Sequence, residues 1–164
     1  MDFLEQLRGE IAAPPKGYSY REALLAAGYR NHLKECAPMA RAYALERLLT
    51  GAEPWIYEAD LIAGSTRGLY RQAVPAAEAE RARQLVESYG SRSFITNYDH
   101  FAPDYDRLVQ EGVGARLARI DASLARYKDD PAKSLFLRAA RIAFGAFRAM
   151  ILGYARAAEE KGGR

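Results

Sequence analysis

Leu135-Phe136-Leu137-Arg138-Ala139-Ala140-Arg141-Ile142-Ala143-Phe144-Gly145-Ala146-Phe147-Arg148-Ala149-Met150-Ile151-Leu152-Gly153-Tyr154 is the stretch from which the fold can be read. Phe136, Ala140, Ala143, Phe147, Met150 and Tyr154 recur at alternating spacings of four and three, the period that lines one side of an α-helix with apolar groups. Leu135, Ile142, Phe144, Ile151 and Leu152 widen that stripe well beyond a single face. A helix from Pro131 to about Glu160 is therefore predicted, one that must be covered on more than one side by its own domain or by a partner. Whatever is left uncovered stays as exposed apolar surface. Self-association or a larger subunit seated on this helix is the expected remedy.

Helical periodicity also dominates upstream of that stretch. Asp2 to Ile11 is a short amphipathic segment, stopped by Pro14-Pro15 because paired prolines cannot continue a helix. Ser19 with Glu22 three residues on makes a capping-box pattern, predicting a helix to roughly Glu35. Pro38 begins another, to about Leu49, closing near Gly51. Ala76 to Tyr89 is strongly helical. Pro103 to Gln110 starts a helix that Gly112 and Gly114 either bend or interrupt, and a further helix is predicted from about Ala115 to Tyr127. Only between Trp55 and Ala63 do aromatic and β-branched residues suggest a short extended element or hairpin. The expected fold is mainly α, a single multi-helix domain over residues 1–164 with no internal repeat.

Composition bounds the function. With 49% hydrophobic and 27% charged residues, the 164-residue chain can bury a core of its own. Its 24 Lys and Arg against 21 Asp and Glu leave +3, too mild a charge to argue for nucleic acid. A single cysteine, Cys36, excludes an internal disulfide, and two histidines without a cysteine cluster give no zinc ligand set. The carboxylates lack the spacing of a calcium loop. The start Met1-Asp2-Phe3-Leu4-Glu5 lacks the basic, then apolar pattern of a signal peptide, and no apolar run reaches 18 residues. No membrane partner and a cytoplasmic location are expected.

The densest chemistry lies in Ser93-Phe94-Ile95-Thr96-Asn97-Tyr98-Asp99-His100-Phe101-Ala102-Pro103-Asp104-Tyr105. Pro103 suits a first helical turn, and Asp104 complements the positive end of the helix that follows. The stretch reads as a polar loop delivering Asn97, Tyr98, Asp99 and His100, the candidate substrate-binding residues, onto a helix start. His100 changes protonation near neutral pH and can hold a hydroxyl or a carboxylate; equally, it can be a loop histidine that satisfies backbone groups. Asp99 and Asp104 do not make an acid/base pair if Asp104 serves the helix N-terminus. His32 reads as a helix surface or interface residue, and Arg116, Arg119, Arg126 and Lys128 as a solvated face. Gly64-Ser65-Thr66-Arg67-Gly68 is a turn without the lysine of a phosphate loop. No catalytic residue is assigned on these grounds, and no metal ligand.

Three pieces in order resemble the N-terminal region of the glycyl radical enzymes, the pyruvate formate-lyase-like family. A helix rich in Arg and Ala, similar to Arg41-Ala42-Tyr43-Ala44-Leu45, leads there into an "I-Y-x-x-D-E-L-I-V-G-N" turn, similar to Ile56-Tyr57-Glu58-Ala59-Asp60-Leu61-Ile62-Ala63-Gly64-Ser65. An "H-x-x-P-D-Y-x-x-x-L-x-x-G" segment is similar to residues from His100-Phe101-Ala102-Pro103-Asp104-Tyr105 to Gly112. The resemblance extends from about Tyr20 to Ala158. It implies radical cleavage of a carbon–carbon or carbon–heteroatom bond in a small polar substrate, with His100 and its neighbours as wall residues. The family also uses a radical-bearing glycine in an R-V-x-G-[YF] loop and a relay cysteine on a barrel loop, and neither motif occurs in this sequence. Two expectations follow. Either the chain is a fragment or separate subunit of such a lyase or formate acetyltransferase-like enzyme, inactive alone, or it is a helical interaction module that kept the scaffold and lost the chemistry. In the first case no cofactor sits on this chain, the glycyl radical belongs to a missing C-terminal part, and the partners are a second polypeptide with the barrel and radical loop and a radical activating enzyme.

Overall fold

A computed structural model of the chain describes residues 2–12, 20–57, 75–88 and 104–162. Those residues form six helices: α1 (Phe3–Ala12), α2 (Tyr20–Asn31), α3 (Ala37–Gly51), α4 (Ala76–Ser88), α5 (Tyr105–Arg126) and α6 (Pro131–Gly162). No strand occurs among the described residues, so the chain is mainly α. Residues 53–57 run without regular structure where a hairpin was conceivable, and 58–63 lie outside the described residues. Trp55 and Tyr57 meet edge to face at 6.2 Å, and Tyr57 is buried.

Local chemistry sets most of the helix ends. Cys36 is the extended N-cap of α3, without a side-chain capping bond, and proline follows in the first turn as the sequence predicts. Asp104 caps α5, its Oδ1 accepting the Arg107 N–H at 3.3 Å. Asp130 does the same for α6, accepting the Lys133 N–H at 3.0 Å just ahead of Pro131. In α4, Glu80 and Glu87 bracket Arg83 at helical spacing, which lowers the Glu80 carboxyl and raises the guanidinium. Ser19, the expected cap of α2, lies outside the described residues. That helix ends at Asn31 rather than near Glu35; the chain turns there through hydrogen bonds from His32 N to Tyr29 O and from Glu35 N to His32 O.

Helix α3 is the hub. It packs antiparallel on α2, where Leu24 lies against Gly51 and Gly28 against Ala44, burying Leu24, Leu25, Tyr29, Ala40, Ala44 and Leu48 in one cluster. The two backbones approach so closely that a Cβ on Gly28 would stand 2.6 Å from the Ala44 Cα. Helix α4 lies on the other side of α2 through Ala82 against Ala23 and Ala26. Helix α6 runs parallel to α3: Met39 and Ala42 meet Ala139 near its start, Pro54 approaches Gly153, and the Lys161 Nζ donates to the Ile56 carbonyl at 2.6 Å near its end. Helix α5 folds back along α6 as a hairpin, tied by Arg141 Nε to Asp121 at 2.6 Å and by Ser134 Oγ to the Tyr127 carbonyl at 2.7 Å.

The last helix is thus covered on two sides, by α3 and by α5, as its broad apolar girth requires. Its innermost residues differ from the predicted stripe. Ala139 and Ala146 are the buried ones, whereas Phe136, placed on the stripe by spacing, is 68% exposed. Small side chains let α3 come close, and the large ones are pushed to the flanks of the contact, where Leu135 and Ile142 pack half-buried. Phe136, Ile151 and Leu152 stay exposed.

Candidate functional site

Asn97, Tyr98, Asp99 and His100, the residues singled out by the sequence, lie outside the described residues. The structure describes the helix start that follows them. Asp104 is engaged there in capping α5, and its second oxygen lies 3.7 Å from the Arg107 guanidinium. His32 stacks on Tyr43 with ring centroids 3.8 Å apart at the α2–α3 interface, the structural role its position suggested. Cys36 is exposed. Among the described residues no cluster of three or more His, Cys, Asp or Glu is placed to hold a metal ion.

Two polar constellations escaped sequence reading. The first is at the α5–α6 turn, where Ser123, Tyr127, Ala132, Lys133, Phe136 and Leu137 line an open, mostly apolar groove of about 410 Å³. The Tyr127 ring has the Lys133 ammonium 4.8 Å from its centroid and the Arg126 guanidinium at 5.4 Å. Lys133 is also paired with Asp130 at 2.7 Å, which raises the lysine and lowers the carboxyl, so the groove presents a neutralised cation and no nucleophile–base pair. The second is Glu111, half-buried, which pairs with Arg119 at 2.7 Å and lies 3.8 Å from Arg116. Those two arginines are therefore engaged, where their spacing suggested a free solvated face. The five- and eight-residue separations match no helical pairing rule, which is why the sequence alone did not show them.

At these two features Lys133 is paired with Asp130, and Glu111 with Arg116 and Arg119. A family model described as pyruvate formate lyase-like matches residues 79–163, just over half of the chain. The chain belongs to the pyruvate formate lyase-like family. The match runs from within α4, through the segment holding His100, to the end of α6. Comparison with curated proteins and with solved structures gives no match. No described helix is long and apolar enough to cross a membrane.

Proposed function

We propose that this pyruvate formate lyase-like chain is the helical, non-catalytic part of a glycyl radical enzyme and that it works with a second polypeptide carrying the barrel, the relay cysteine and the glycine-radical loop. The observation that carries this reading is the family match falling on a helical scaffold whose described residues hold no acid/base machinery. Cys36 adds to it. A thiyl relay needs a site closed to water, which protects a reactive intermediate, and Cys36 stands exposed at the N-cap of α3.

In this assembly the partner would generate a thiyl radical that takes a hydrogen atom from a small polar substrate, and a carbon–carbon or carbon–heteroatom bond of the resulting radical then breaks. Asn97, Tyr98, Asp99 and His100 would contribute wall contacts to that substrate, His100 by holding a hydroxyl or carboxylate. The assembly would act in the cytoplasm. The exposed Phe136, Ile151 and Leu152 on α6 leave apolar surface that such a partner would cover.

The test is anaerobic purification of the tagged chain from its native cell, with mass spectrometry of whatever accompanies it. A stoichiometric polypeptide containing an R-V-x-G-[YF] loop is expected. In parallel, the chain alone is treated with a radical activating enzyme and S-adenosylmethionine and read by electron paramagnetic resonance, where no glycyl radical signal is expected. A radical signal from the chain alone, or purification without any such polypeptide, overturns the proposal and leaves a helical interaction module.

A further inference from the structure

Gly112 interrupts α5 with backbone angles of φ 73° and ψ 171°, the only positive φ among the described residues. That conformation is one L side chains rarely adopt, and the space around the glycine is open, with nothing within 4 Å of where a Cβ would stand. Backbone geometry, rather than crowding, is what requires glycine here.

Ion pairs in an unbroken helix join residues three or four apart, since those are neighbours on one face. Glu111 instead holds Arg119, eight residues on, at 2.7 Å and lies 3.8 Å from Arg116, five residues on. Side chains lean toward the N-terminus of their helix, so both guanidinium groups reach back toward Gly112, and the kink turns the Glu111 carboxylate to meet them. The clasp therefore spans the break in the helix. Beyond it, among the described residues the arm of residues 104–111 is lightly packed: Tyr105 is 64% exposed and Val109 82%, and no side chain of α5 is fully buried.

We propose that Gly112 is a hinge and that the clasp of Glu111 with Arg116 and Arg119 sets the angle at which the arm of residues 104–111 meets the rest of α5. Opening the clasp releases the arm to swing. The hinge itself does not depend on the radical enzyme reading, because it concerns the arm alone.

Spin labels at Val109→Cys and Ala122→Cys, in a Cys36→Ser background of the full chain, report the arm angle by pulsed dipolar spectroscopy. The unaltered clasp should give one narrow distance distribution. Arg119→Met, a change at an exposed side chain that leaves the core intact, and Glu111→Ala should each broaden it to about twice its width, as a released two-state element does. Salt at 1 M, where the screening length is about 3 Å, should shift it in the same direction. Gly112→Ala should move the distance toward the roughly 20 Å rise of thirteen residues of unbroken helix. Unchanged position and width in Arg119→Met and Glu111→Ala overturn the clasp, and an unchanged distance in Gly112→Ala overturns the hinge.

Discussion

Gly28→Ala probes a close crossing of two helices, α2 and α3. The new Cβ would lie 2.6 Å from the Ala44 Cα and 3.0 Å from both the Tyr43 carbonyl oxygen and the Arg47 Cβ. Carbon atoms in contact sit about 3.5–4.0 Å apart, so α2 and α3 must separate by roughly 1 Å to admit the methyl group. The atom in the way belongs to backbone and cannot rotate aside. Parting the helices loosens the cluster of Leu24, Leu25, Tyr29, Ala40, Ala44 and Leu48, and overpacking of this kind costs about 1–3 kcal/mol. Replacing glycine by alanine within a helix also gains up to about 1 kcal/mol of helix propensity. Gly145→Ala in α6 isolates that gain, because nothing lies within 4 Å of its Cβ position. Propensity cancels between the two variants, leaving a steric difference of about 1–3 kcal/mol. At about 2–4 °C per kcal/mol for a chain of this size, Gly28→Ala should melt several degrees below Gly145→Ala. Urea unfolding followed by circular dichroism at 222 nm measures both. Equal stability of the two variants, within about 0.3 kcal/mol, would refute the close α2–α3 crossing.

Two further outcomes are expected. Phe136→Ser should leave folding within about 0.5 kcal/mol of the parent despite the loss of a large apolar group, since the side chain is 68% exposed; a clearly larger loss in urea unfolding would return Phe136 to the core. Asp130→Asn tests the start of α6, where the side-chain hydrogen bond from Lys133, then the Lys133 backbone N–H, holds the aspartate below its ordinary value. A carboxyl lowered on folding adds stability that is complete above its unfolded value near 4 and is lost as the pH falls through its folded value. The stability gap between the parent and Asp130→Asn should therefore be constant from pH 6 to 9 and shrink below about pH 4, and a gap that grows in acid would contradict the pairing.

Sequence alone determined the helices, because local physics suffices for them. Pro38, Asp104 and Pro131 act within one turn of their own positions, and an apolar repeat at helical spacing shows wherever it occurs. The breadth of the apolar girth on α6 likewise required cover on more than one side before any partner helix was known. Family membership was legible in part for the same reason, since the His100 to Gly112 segment lies inside the region that the family model matches. Tertiary structure alone decided which of the apolar residues of α6 go inside. Periodicity marks a face but not its centre: Ala139, packed on Met39 and Ala42 of α3, and Ala146 are the buried residues, and Phe136 is left outside. It also decided that Gly112 bends α5 while Gly114 stays helical, and that Glu111 joins arginines five and eight residues away. Such pairs depend on the path of the backbone through a kink, a relation between distant turns that no local spacing rule contains.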